Sequence, residues 1–191
     1  MIKKCFLLLI LLIAVAAPSC QKRSDEGPNA LFMVVQDGKY GYIDRSGKIV
    51  VNPQFDGAWR FSEGLALVKL GDRWGYVDTK GKIVVNPQFD SADSFSEGLA
   101  RVMINRKYGY IDKKGKIVIN PQFDSADSFS EGLAKARVGN KHGYIDKSGK
   151  LAINPQFDDT ENFHNGLARV YIGNRWGYID KEGRYIWNPT S

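Results

Sequence analysis

Five times in this chain an aromatic or histidine side chain precedes Gly-Tyr, at Tyr40, Trp74, Tyr108, His142 and Trp176. Each time a cation stands before it: Lys39, Arg73, Lys107, Lys141 and Arg175. Rings offer flat apolar area and cations pair with carboxylates or phosphates, so such a row suits stacking on sugars or contact with an anionic polymer. The same rings could instead pack over the neighbouring unit and bury the bare glycine beside them. Packing is the first reading of the row and ligand contact the second. Aspartates recur as well, at Asp44, Asp78, Asp112, Asp146 and Asp180 and at Asp56, Asp90, Asp124 and Asp158. A calcium ladder would need alternating oxygen ligands, which Asp-x-x-Gly lacks, so turn formation and local capping is the reading adopted.

Catalytic chemistry is poorly served. Ser62, Ser96 and Ser130 in Phe-Ser-Glu-Gly lack a nucleophile elbow and a repeated histidine, and the glycines form no phosphate-binding loop before a helix. The two histidines, His142 and His164, occupy different sites of one repeat, and no cysteine follows Cys20. Near-identical units leave no unique acid, base and nucleophile, so neither a catalytic residue, a metal site nor a cofactor is expected.

The elements that must position these side chains follow from an internal repeat. The Gly-Tyr tripeptides are spaced by 34 residues without insertion or deletion, and Lys82–Ala100 matches Lys116–Ala134 at 18 of 19 positions. That is a duplication of one structural unit. Helical tetratricopeptide arrays share the period, but every unit here holds Asn-Pro and at least two glycines between short runs of Ile, Val and Tyr. Short strands and turns remain. In the unit around Leu65–Pro87 the expected strands are Leu65–Leu70, Trp74–Asp78 and Lys82–Val85, an antiparallel meander. Positions 66, 68 and 70 and their repeats form an inward apolar face, while Lys69, Arg101, Lys135, Arg137 and Arg169 between them are expected in solvent. Asn-Pro is expected to end the third strand, since proline donates no ladder bond. The connector that follows is expected to turn Phe55, Ala58 and Phe61 inward from a single helical turn.

The residues Lys/Arg-Trp/Tyr-Gly-Tyr-Ile-Asp-x-x-Gly-Lys-Ile-Val-Ile-Asn-Pro-Gln-Phe-Asp, followed by Phe-Ser-Glu-Gly-Leu-Ala, resemble the WG-repeat family, also called KWG. The resemblance covers residues 30–189, with His142 and His164-Asn165 as the departures. It implies a bacterial all-β repeat module of variable copy number. The fold expected is therefore an open, curved, solenoid-like array of five three-stranded meanders, with a five-bladed, propeller-like closed ring as the alternative.

Residues 1–20 run from a basic start at Lys3 and Lys4 through an apolar stretch, Phe6 to Ala17, to Pro18, Ser19 and Cys20. That order is a secretory signal, and the apolar stretch is shorter than the roughly 20 residues that cross a bilayer. Cys20 after small residues resembles the lipobox of bacterial lipoproteins, which implies a signal peptide over 1–19 and lipidation at Cys20. Residues 20–29 then read as lipidated cysteine and flexible tether ahead of a β domain at 30–189. Removal of 1–19 lowers the formal charge from +6 to +4, 25 basic against 21 acidic residues, too weak and interspersed to argue for nucleic acid. The expectation is an exported, non-enzymatic lipoprotein at the cell envelope, or else a secreted one. The membrane, through the lipid, and a protein or polysaccharide are its expected partners.

Overall fold

The computed structural model describes residues 30–190, and no helix occurs among the described residues. The expected leader at 1–19, Cys20 and the tether lie outside the described residues. The first sheet is β1 (Phe32–Gln36), β2 (Lys39–Ile43) and β3 (Ile49–Phe55). The second is β4 (Gly57–Ser62), β5 (Leu65–Leu70), β6 (Arg73–Asp78) and β7 (Ile83–Phe89). The third is β8 (Ser91–Ala92), β9 (Leu99–Ile104), β10 (Lys107–Asp112) and β11 (Ile117–Phe123). The fourth is β12 (Ser125–Ala126), β13 (Leu133–Val138), β14 (Lys141–Asp146) and β15 (Leu151–Phe157). The fifth is β16 (Asp159–Thr160), β17 (Ala168–Ile172), β18 (Arg175–Ile179) and β19 (Tyr185–Thr190). Each is an antiparallel meander in chain order.

Two local expectations are corrected. The connector makes no helical turn; it supplies the short strands β4, β8, β12 and β16, so the last four sheets have four strands. Glu63 and Gly64, both at positive φ, fold Ser62-Glu-Gly-Leu65 into a tight hairpin, which recurs at Glu97, Glu131 and Asn165. Nor does Asn-Pro end the third strand, which runs on to Phe55, Phe89, Phe123 and Phe157. In the second sheet Trp74 pairs with Phe89 and Tyr76 with Val85, so Asn86, Pro87 and Gln88 stand opposite Gly75 alone. The proline is housed in this bulge, where its missing N–H costs no ladder bond. The glycine is demanded by the same bulge: a Cβ on Gly75 would lie 2.5 Å from the Val85 carbonyl oxygen and 2.6 Å from Pro87 N.

Cores form between consecutive sheets. At the first junction Tyr42, Val51 and Phe55 face Ala66, Val68 and Val77, and Ala58 and Phe61 of β4 fill the layer. The tyrosine after each glycine is the central ring: Tyr42, Tyr76, Tyr110 and Tyr144 are fully buried and donate to the carbonyls of Trp59, Asp93, Asp127 and Glu161 at 2.6 Å. Each also meets the connector phenylalanine at 4.8–4.9 Å between centroids, at Phe61, Phe95, Phe129 and Phe163. Burying one such phenylalanine contributes about 1.5–3 kcal/mol. Among the described residues no further sheet packs on the outer faces at the two ends, where Phe32, with the Arg45 guanidinium 5.5 Å over its ring, is 40% exposed and Trp187 56%. The array is open, and the closed five-membered ring is not formed.

Candidate functional site

The repeated polar residues are engaged at the junctions. Lys39, Lys107 and Lys141 pair with Asp56, Asp124 and Asp158 at 2.5–2.6 Å, and Arg73 pairs with Asp90. The second oxygen of each aspartate accepts a turn N–H of the next sheet, from Gly71, Asn105, Gly139 and Gly173 at 2.6–3.0 Å. The lysine and then the turn N–H hold Asp56, Asp124 and Asp158 below the usual carboxylate range. Arg175, the fifth cation of the row, makes no ion pair among the described residues.

Asp44, Asp78, Asp112, Asp146 and Asp180 each accept the N–H groups two and four residues on through Oδ1, which is the turn geometry their spacing implied. The Ser-Glu pair ties connectors together. Ser62, Ser96 and Ser130 donate to the carbonyls of Phe95, Phe129 and Phe163 at 2.7–2.8 Å. Glu63, Glu97 and Glu131 accept from Gly98, Gly132 and Gly166 and pair with Lys113, Lys147 and Lys181.

The aromatic row is neither fully buried nor uniformly open. Tyr40, Trp74, Tyr108 and His142 are half-buried at the rims of the junctions, and Trp176 is 41% exposed. The cations expected in solvent between the apolar positions partly cover the rings. Arg101 lies 4.7 Å above Tyr108, Arg169 5.3 Å above Trp176, and Lys69 5.7 Å above Trp74. The Arg101 side chain is only 19% exposed and Lys135 17%, because each reaches the connector aspartates rather than water. His142 Nδ1 stands 3.3 Å from Asp159 Oδ1. Its pKa is lowered by burial and then by Lys135, against the pull of Asp159.

The first connector departs from the later ones. Where the later connectors carry Asp93, Asp127 and Glu161, the first carries Trp59, and where they carry Ser91, Ser125 and Asp159 it carries Gly57. The Asp93–Arg101 and Glu161–Arg169 ion pairs have Trp59 and Leu67 as their counterparts in the second sheet. Trp59 is 47% exposed and meets Trp74 edge to face at 4.8 Å. Together with Tyr40, Met33, Asp56, Arg60, Lys69 and Ser94 the two indoles line an open cleft of about 650 Å³. A Cβ on Gly57 would meet Lys69 Cβ at 3.3 Å and the Trp59 ring at 3.4 Å, so the glycine leaves room where these two side chains approach the strand. The structure thus brings Tyr40, Trp74, Asp56 and, through Asp56, Lys39 to one place, and leaves Tyr108 and His142 at separate junctions and Trp176 on the last sheet. Trp59 is absent from the expected row, yet its departure from three otherwise acidic counterparts was a readable signal.

The WG containing repeat model matches residues 40–74, 74–108, 108–141 and 143–176. The chain is a WG-repeat protein. No curated protein matches the sequence. Among solved structures, a eukaryotic initiation factor is similar at 11% identity and a TM-score of 0.57, over 84% of this chain and 51% of that one. The dihydro-heme d1 dehydrogenase NirN in complex with DHE is similar at 15% identity and a TM-score of 0.51, over 86% of this chain and 44% of that one. The WG-repeat chain therefore spans about half the length of these two, and the likeness is one of fold. The WD40 β-propeller domain of Doa1 aligns at 15% identity with a TM-score of 0.42, over 82% of this chain and 64% of that one.

Proposed function

We propose that this WG-repeat protein is a non-enzymatic, lipid-anchored component of the cell envelope whose β-repeat surface is an interaction scaffold, with another protein docking in the Trp59–Trp74 cleft. The observation that carries this reading is that the repeated acids, bases and hydroxyls serve sheet junctions, whereas the break in the pattern at Gly57 and Trp59 opens an aromatic cleft. Exposed tryptophan flanked by cations and a carboxylate is the composition of a binding hot spot. A photo-reactive residue in place of Arg60, which lines the cleft, should give covalent adducts in cell envelopes, and loss of those adducts on Trp59→Ala would follow. Adducts unaffected by Trp59→Ala would contradict docking in the cleft.

The anchor is the remaining part of the reading. Labelled fatty acid should enter the wild-type chain and not Cys20→Ala, and that variant should leave the membrane fraction. Absence of label in the wild type would remove the anchor and favour a secreted protein.

A carbohydrate-binding reading is favoured by the same cleft on one ground. Tyr40, Trp59 and Trp74 present ring area beside Lys69, a set that suits stacking on a sugar ring with the cation pairing to a carboxylate on it. Glycan and peptidoglycan pull-downs with the wild type should then succeed and fail with a Trp59→Ala, Trp74→Ala double variant. Equal retention of the two proteins would contradict it.

A further inference from the structure

The sheet junctions repeat so closely that the two ends of the array can be compared with them residue by residue. At each junction a glycine turn of one sheet seats on an aliphatic side chain of the sheet before it. A Cβ on Gly81 would lie 3.0 Å from Val51, on Gly115 3.0 Å from Val85, on Gly149 2.9 Å from Ile119 and on Gly183 3.4 Å from Ile153. For the first member of the turn series, Gly47, nothing among the described residues lies within 4 Å of the same position. The last member of the aliphatic series is Trp187, more than half exposed.

The neighbours of these two positions show the same unfinished interface. On the fifth sheet Leu167, Trp176, Tyr178, Ile186 and Trp187 line an apolar hollow of about 420 Å³. Four counterparts of Tyr178 are fully buried by the sheet that follows them, and Tyr178 itself is only half-buried. On the first sheet Phe32 occupies the position held by Ala66, Ala100, Ala134 and Ala168, all buried against the preceding sheet. Repeat arrays usually close such ends with polar faces. Here both ends carry larger apolar side chains than the interior: Trp187 for Val or Ile, and Phe32 for Ala. In the sequence, Ser24 and Gly27 stand at the repeat positions of Ala58 and Phe61, so the apolar pair of the connectors has no sequence counterpart ahead of the first sheet, while Phe32 and Trp187 are bulkier than their counterparts.

We propose that the front face of the fifth sheet docks the back face of the first sheet of a second copy of this chain, continuing the internal junction head to tail. The Asp44–Lys48 turn of one copy covers Trp187 of the other, and Phe32 enters the hollow beside Trp176 and Tyr178. Such a contact is heterologous, with two different patches meeting, so each copy keeps one free end unless the assembly closes. Phe32 and Met33 alternate across β1, so the docking face and the cleft lie on opposite sides of that strand and adjoin at a small hollow of about 240 Å³ lined by Leu31, Phe32, Met33 and Arg60.

The test is sedimentation of the full chain in mild detergent, over a range of concentrations, with circular dichroism to show that each variant is folded. The wild type is expected to associate to a dimer or longer species as concentration rises. Phe32→Glu blocks one end and Trp187→Glu the other, so each alone is expected to sediment as a monomer. An equal mixture retains one matched pair of ends and is expected to double in mass and go no further. Phe32→Ala and Trp187→Ala, milder changes at the same exposed positions, are expected to weaken association at least tenfold. A monomeric wild type throughout the range, with the two ends satisfied within one chain or by some other partner, overturns the proposal. So does association of either glutamate variant alone, or failure of the mixture to associate.

Discussion

The glycine of each Gly-Tyr pair is a packing requirement set by a bulge in its own sheet. A Cβ on Gly109 would stand 2.5 Å from the Ile119 carbonyl oxygen and 2.7 Å from Pro121 N, and backbone atoms cannot retreat as a flexible side chain can. Gly109→Val is expected to lower unfolding free energy by about 3 kcal/mol or more, against about 0.5–1 kcal/mol for Lys69→Ala, in denaturant titrations. Equal shifts would show that the bulge yields. The tyrosine beside it carries a buried hydroxyl that donates to Asp127 O at 2.6 Å, so Tyr110→Phe leaves that carbonyl without its donor and is expected to cost about 1–3 kcal/mol. Burial raises the pKa of the four core tyrosines. A raised folded-state pKa means that stability holds below the ordinary tyrosine value, about 10, and declines as pH rises beyond it. His142 shifts the other way, through burial and then Lys135, so its contribution is complete above its ordinary pKa of about 6.5 and is lost as pH falls through the lower folded-state value. Thermal melts between pH 7 and pH 5 are expected to slope downward in the wild type and to flatten in His142→Tyr, which restores the ring of the other units.

Strand periodicity, hairpin residues and the 34-residue spacing made the meander legible; positions 66 and 68 and their repeats are buried as alternation expects, but Leu67 is buried too and the repeats of position 70 are not, with Val138 49% exposed. The connector was not legible in the same way. Phe55, Ala58 and Phe61 are spaced as a helical turn would space them, but Phe55 closes β3 while Ala58 and Phe61 belong to β4, and a register shift between 58 and 61 brings both inward. Proline misled for a related reason: its missing donor forbids a regular ladder position but is harmless in a bulge. The Phe-Ser-Glu-Gly hairpin shows how an element becomes a junction, because its serine and glutamate reach the next connector. Ser96→Ala is expected to cost about 1 kcal/mol, and Lys147→Met with Glu97→Gln no more than that, since the ion pair is part-exposed. The aspartate ties give the junctions an acid limit. Their depressed pKa values mean that stability is present above the ordinary carboxylate range and is lost as pH falls below about 4, with the melting temperature dropping accordingly.

Across the whole molecule, near-identity of units is what hid the candidate site. A row of rings at equal spacing invites the expectation of one continuous ligand surface, yet the rings sit at separate junctions, and Arg101 and Arg169 lie over Tyr108 and Trp176. The cleft appears where the repeat departs from itself, at Gly57 and Trp59, with Leu67 in place of the cation that an acidic residue would have held. Departures at the two ends, Phe32 and Trp187, mark unfinished junctions by the same logic. The most direct test is photo-crosslinking in cell envelopes from position 60 compared with its repeat counterpart, position 128, where the acidic connector is intact. Partner adducts from a photo-reactive residue replacing Arg60, and none from one replacing Ser128, are the predicted result. Equal adducts from both positions, or none from position 60, would contradict binding at the break in the repeat.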